Sequence, residues 1–246
     1  MMLRGINADL HIHTCLSPCG MPENVPTRIV QRASERGLHV IGICDHNTAE
    51  NVGAVRSAAG RWHVDVLGGM EITTREEIHI LALFDSDDDL YHMQVLVYEH
   101  LQGSNDPQAF GQQYIVDAED NVTGFNERLL IGATDLSLDH VIEAIHARHG
   151  LAIASHIDRG SFSILSQLGM IPGQLELDAV ELSPHYMNSG FQLEEIVYPR
   201  VFFSDAHQLD DVGRAHTGFL IETPCVSEIK MAFGGRRGRS ILPQEH

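Results

Sequence analysis

What constrains this chain most is the placement of its ionisable residues against its short apolar runs. Residues 6–11, 39–44, 64–72, 78–84, 151–155, 179–182, 201–204 and 217–221 read as strands. At or just past the ends of these runs stand Asp9, His11 and His13, then Asp45 and His46, Glu71, His156, and finally Asp205 and His207. A period of two puts Asp9, His11 and His13 on one face, and Asp205 with His207 likewise. Amphipathic segments lie between the runs. Residues 26–36 carry Pro26 at the start and Gly37 past the end; residues 138–149 have Ser137 as N-cap and Gly150 as the stop. This alternation predicts an α/β fold with a largely parallel sheet. In a parallel barrel such strand ends meet at one mouth, where active sites lie.

The residue types name the chemistry. Neutral imidazole and carboxylate suit zinc, manganese and iron. Two such ions roughly 3.5–4 Å apart clamp the attacking and leaving oxygens of a phosphoryl transfer. The chain has 16 histidines but only four cysteines, Cys15, Cys19, Cys44 and Cys225, with no CxxC pair. A closed structural zinc site is therefore not expected, and the cysteines read as reduced thiols. The net charge of -18 repels long nucleic acids, so attraction for a phosphate must be local. No GxSxG elbow or Walker loop is present. No apolar run is long enough for a membrane span, and the N-terminus lacks a signal-peptide pattern, so the expected location is cytoplasmic.

Two stretches break the rhythm. Residues 85–134 read as an insertion, helical over 88–101 and polar and turn-rich over 103–132. Residues 234–246, with the run GGRRGR, read as a mobile tail behind a domain of residues 1–233.

The segments ADLHIHTCLSPCG, ICDHNT, GMEI followed by EIHILALF, ASHIDR and FFSDAH occur in that order between about Asp9 and His207. Together this set resembles the PHP (polymerase and histidinol phosphatase) superfamily. The stretch SHIDRGSFSILSQLGMIP is similar to a bacterial subgroup of stand-alone PHP phosphoesterases. The resemblance implies a distorted (β/α)7 TIM-like barrel holding two or three divalent ions, manganese, iron or zinc. Carried onto this chain, it implies that His11, His13 and Asp205 hold a first ion and that Glu71 bridges the first and third. His46 and His207 would serve the second, and His79 and His156 the third. Many relatives supply a further His or Asp from the loop after HxHT. Here that loop reads CLSPCG, leaving Cys19 or Glu23 to complete the second position.

The implied reaction is hydrolysis of a phosphate ester by metal-bound hydroxide, on a small phosphorylated substrate, a nucleotide or a short nucleic acid. Asp205 and His207 stand at its centre. Arg159 either grips the phosphate or forms a structural salt bridge. His185 either protonates the leaving group or is bland. Glu181 reads as a buried, hydrogen-bonded carboxylate, while Asp9 and Asp45 are expected to orient ligand rings, or Asp45 to cap a helix. A histidinol-phosphate phosphatase and a non-catalytic metal-binding regulatory module are the alternatives. The oligomeric state is left open. An amidohydrolase would need a strand-end lysine, and the lysine present is Lys230.

Overall fold

A computed structural model describes residues 2–186 and 196–243 of the chain. The first half holds β1 (Arg4–Ile12), α1 (Pro26–Glu35), β2 (Val40–Ile43), α2 (Val52–Ala59), β3 (Asp65–Thr73) and β4 (His79–Phe84). There follow α3 (Asp87–His100), α4 (Pro107–Phe110), β5 (Tyr114–Val116) and β6 (Val122–Phe125). The second half holds α5 (Leu138–Ala147), β7 (Leu151–Ala154), α6 (Ile164–Leu168), β8 (Ala179–Leu182) and β9 (Arg200–Phe202), then β10 (Thr217–Ile221), α7 (Val226–Phe233) and β11 (Ser240–Ile241).

Nine strands form one curled sheet in the order β11-β10-β1-β2-β3-β4-β7-β8-β9. The sheet is mixed rather than largely parallel. β1–β2, β2–β3, β7–β8 and β8–β9 pair in parallel, but β4 runs antiparallel to both its neighbours. The reason is chain length: the few residues between Thr73 and His79 suffice for a hairpin, not for a crossover. The far side of β1 is shared. Its first half pairs antiparallel with β10, Arg4 to Ile221 through Ala8 to Thr217. Its last residues meet the chain beyond β9 instead: Ile12 bridges Ala206, whose N–H donates to His11 O at 3.2 Å and whose carbonyl accepts from His13 N at 3.0 Å. Residues 204–206 thus close the sheet into a distorted seven-stave TIM-like barrel at the end where the ionisable side chains gather.

Alternation divides the core into two layers. Ile6, Ala8, Leu10, Leu67, Leu81, Leu83, Leu151, Ile153, Ala179 and Val201 pack together inside, capped by Val226 and Ile229 of α7. Ile12, Ile41, Ile43, Ile72, Ile80 and Ala154 face outward onto the helices. There α1 presents Ile29, Val30 and Ala33, and α5 presents Val141, Ile142 and Ile145, one stripe each. Ser137 caps α5 by accepting from His140 N, as expected. The helix stops before Gly150, with His149 in the left-handed region (φ 60). Gly150 is small for another reason: a Cβ there would lie 2.5 Å from the Phe84 ring.

The segment between β4 and β7 is more ordered than a turn-rich stretch suggests. It contains α3, α4 and the β5–β6 hairpin, roped to the barrel by buried amides. Asn47 Nδ2 donates to Leu130 O and Gly132 O at 2.8 Å each, while its Oδ1 accepts from Thr73 N. Asn51 reaches Thr14 Oγ1, Tyr114 O and Val116 N. The tail also differs from expectation. β11 pairs with β10, and Arg239 holds Glu228 and Glu222, so residues 239–242 lie against the body of the protein while residues 234–238 are exposed. Residues 244–246 lie outside the described residues. No helix among the described residues is long and apolar enough to cross a membrane.

Candidate metal centre

The inner face of the barrel changes character at its top. On β3, Leu67 and Gly69 are followed by Glu71; on β8, Ala179 is followed by Glu181; β4 begins with His79 before Leu81. β1 reaches the same layer by a trick. A register irregularity between Asp9 and Ile12 reverses its parity, so Leu10 and then His11 both point inward. Asp9 therefore does not share a face with His11, contrary to the period-two expectation. It accepts from Ser204 N (3.0 Å) and Gly213 N (2.8 Å), fastening the barrel closure rather than orienting a ring. Burial pushes its carboxyl up to about 6.

Glu71 is the hub. Its carboxylate oxygens stand 3.4 Å from His11 Nε2, 3.5 Å from His13 Nε2, 3.2 Å from His46 Nδ1, 2.9 Å from His79 Nδ1 and 3.2 Å from His156 Nε2. Asp205 Oδ1 lies 3.2 Å from His11 Nε2 and 3.1 Å from His13 Nε2. All of these residues but His207, which adjoins them, are buried. Asp205 (φ 48), His156 (φ 29) and Asn47 (φ 53) hold left-handed backbone at the strand ends, strain of the kind that gathers at functional sites.

The hydrogen bonds fix which nitrogens are bare. His11 Nδ1 donates to Glu181, 3.0 Å from each oxygen. Ser17 Oγ gives its proton to Asp45 Oδ1 (2.7 Å), so it accepts from His13 Nδ1 (2.9 Å). Both Nε2 atoms are then lone-pair donors, and they face each other at 3.1 Å. Two lone pairs and two carboxylates pointed at one spot repel unless a cation stands there. Burial opposes charge on His11, but Glu181, Asp205 and Glu71 outweigh it and raise the ring well above its ordinary value. This spot therefore favours a cation, and a bound metal would take the place of the Nε2 proton. His13 is lowered to about 4 by burial and His207, and His46 falls well below the ordinary range through burial. Burial works against charge on Glu71 and Asp205, yet the surrounding imidazoles hold both well below the ordinary carboxylate range.

Divalent ions fit this donor set. His46 Nδ1, His79 Nδ1 and Asp205 Oδ2 are buried without a well-aligned hydrogen bond, although Glu71 and Arg159 stand close to them. His156 Nδ1 is bare as well. Three groups of donor atoms lie within 4.8 Å of one another: His11, His13, Glu71 and Asp205; His46, Glu71 and His79; His13, Cys19, His46 and His207. Neutral imidazole with ionised carboxylate is the form in which these side chains take a metal.

The other expected residues divide. Cys19 joins a donor group although the residue is exposed; desolvation of its sulfur, then Glu71 and Asp205, push the thiol up. Glu23 is exposed and joins no donor group among the described residues. Arg159 places a guanidinium nitrogen 2.7 Å from Asp205 Oδ2 with 39% of its side chain exposed. His185 is exposed and outside the donor groups, because the chain turns away at Ser183, whose N–H and hydroxyl are taken by Asp158. Among the described residues, Asp45 hydrogen-bonds no ring and caps no helix. It binds Thr14 N, Thr14 Oγ1 and Ser17 Oγ, and so acts on His13 through Ser17. Ser17 and Phe162, whose ring stacks on His79 at 4.8 Å, were not foreseen, since nothing local in the sequence marks a loop residue for such contacts.

Known proteins resemble the chain in sequence or in fold. A 5'-3' exoribonuclease of Haemophilus influenzae is 35% identical over 78 residues, 30% of this chain and 27% of that protein. A 3',5'-nucleoside bisphosphate phosphatase of Chromobacterium violaceum is 29% identical over 80 residues, 31% of this chain and 27% of that protein. The matches thus span about a quarter of each relative's length. Endonuclease Q, solved with a 27-mer duplex substrate carrying an abasic lesion at the active site, shares the fold. Its TM-score is 0.73 at 17% identity, covering 97% of this chain and 59% of that one. The PHP domain family matches residues 9–166, more than half of the sequence, and the chain belongs to that family.

Proposed function

We propose that the chain is a metal-dependent phosphoesterase that removes phosphate from a mononucleotide or from the end of a short oligonucleotide. The observation that carries this reading is the convergence of five imidazoles on the single carboxylate of Glu71, with buried nitrogens that no hydrogen bond satisfies. Divalent ions, when bound, supply Lewis-acid charge to phosphate oxygens and make hydroxide available near neutral pH. His11, His13, His46, Glu71, His79, His156, Asp205 and His207 would hold them.

The chain's own residues do the positioning. Glu181, Ser17 and the Asp205 carbonyl, 2.7 Å from His207 Nδ1, fix ring tautomers in advance, so little rearranges during reaction. Arg159 touches Asp205 with one nitrogen, and its exposed remainder suits two phosphate oxygens. Phe162, 39% exposed over His79, offers a ring face for a nucleobase. The exoribonuclease and bisphosphate phosphatase names of the relatives support a nucleotide. The net charge of -18 favours a short substrate over a polymer.

Phosphate release with manganese, from nucleotides, nucleoside bisphosphates, short oligonucleotides, histidinol phosphate and sugar phosphates, tests the reading. Turnover of a nucleotide class, abolished by Asp205→Ala, is expected. A folded, metal-loaded protein that turns over none of them would overturn it in favour of a regulatory module.

A further inference from the structure

Cys19 lies where the loop after β1 folds back over the centre. Its Sγ and one ring nitrogen each of His13, His46 and His207 are all within 4.8 Å of one another. The loop is pinned there. Gly20 N donates to Ser17 O at 2.9 Å, Met21 N to His207 O at 2.9 Å, and Asn24 Nδ2 to His13 O at 3.1 Å. Ser17 is itself held by Asp45 and accepts from His46 N at 3.1 Å. The turn passes so close to the chain just past β1 that a Cβ on Gly20 would stand 2.2 Å from Thr14 O. The histidines complete the set. His46 Nδ1 is buried without a well-aligned hydrogen bond, 3.2 Å from Glu71, and His207 donates through Nδ1 to a carbonyl, which leaves the lone pair of Nε2 free in the neutral ring. The thiol is not in a disulfide, and the alternative donor on this loop, Glu23, stays outside the group.

We propose that Cys19 is a thiolate ligand to an ion shared with His46 and His207, and that it makes this position select zinc or iron(II) over manganese or magnesium. The proposal rests on the metal-centre reading above. Binding forms a sulfur–metal bond and releases the thiol proton to water. Thiolate favours the softer ions, whereas carboxylate at the same place would favour manganese and magnesium. The pinned loop means that the ligand is in place before the ion arrives.

Cobalt(II) loading of the full chain tests this without recourse to activity. The wild type is expected to show a thiolate-to-cobalt charge-transfer band in the near ultraviolet, and Cys19→Ser to lack it. Cys19→Ser, shown by circular dichroism to be folded, is expected to bind one zinc fewer per chain, with affinity at that position lowered by at least the roughly 10–100-fold that loss of an outer-shell partner costs. Iodoacetamide is expected to label Cys19 only after the ions are stripped. Cys19→Asp is expected to regain an ion without the band and to move its preference toward manganese. Identical spectra and stoichiometry in wild type and Cys19→Ser would overturn the proposal while leaving the centre standing. Retention of zinc preference in Cys19→Asp would overturn the selectivity. A wild type that binds no cobalt would overturn the metal-centre reading, and this one with it.

Discussion

Both carboxylate oxygens of Glu181 lie 3.0 Å from Nδ1 of His11, and one of them also accepts the His156 N–H at 3.1 Å. One fully buried carboxylate thus aims a ring from β1 and anchors the backbone of a second histidine. Glu181→Ala frees the His11 tautomer and strands a buried N–H. Ion affinity is expected to fall about 10–100-fold, and stability by about 1–3 kcal/mol. Titration calorimetry with manganese and urea unfolding measure the two effects. Undiminished affinity would show that His11 needs no such partner.

Arg159 divides its guanidinium between Asp205 and solvent. If it receives the phosphate, Arg159→Ala raises KM and lowers kcat/KM by about 10–100-fold, the range for a hydrogen bond to a charged group. Folding and ion content should hold. Kinetics equal to wild type would reduce Arg159 to its ion pair.

Asp178, below the barrel, gives the pH dependence of stability that is simplest to read. Burial works to raise its pKa, but His146 (2.9 Å), Ala152 N (3.0 Å) and Lys230 (3.1 Å) outweigh burial and lower it. A lowered carboxyl stabilises the fold above its unfolded value of about 3.9 and loses that effect as pH falls through the folded value. Asp178→Asn is therefore expected to cost about 1–2 kcal/mol at neutral pH, with the gap closing in acid. Urea midpoints of both proteins across pH test this, and a gap that persists in strong acid would refute it.

Asn47 ties two carbonyls of the segment after α3 to the Thr73 N–H, from a left-handed backbone. Asn47→Ala leaves those groups unpaired, each worth about 1–3 kcal/mol when buried. Hydrogen exchange should rise over residues 101–134 more than over β7 and β8. Uniform protection would mean that Asn51 and Gln113 hold the segment alone.

Strand-end positions were legible because alternation and burial leave few other places for Glu71, His156 or Asp205. The same rule misled at Asp9, since a parity reversal between Asp9 and Ile12 has no local signature. Ring partners were harder. Glu181 was readable as a buried carboxylate, but that it serves His11, and that Asp45 acts through Ser17, depends on how distant strands stack. The β5–β6 hairpin escaped because its strands are short and its anchors, Asn51 and Gln113, are polar. Docking of the tail turned on Arg239 finding Glu222 and Glu228, a tertiary match hidden in a run that looks solvated.

The divided edge of β1 bears on how the protein is made. A chain growing from its N-terminus exposes the unpaired backbone of that strand until residues 204–206 and β10 have been synthesised. His11 and His13 are among the first donor side chains of the cluster to emerge, yet they wait for Asp205 before the group is complete. On the proposed reading, ions would therefore be taken up only late in synthesis. A ribosome-bound chain truncated before residue 200 should carry every other histidine of the centre except His207 and still fail to retain an ion.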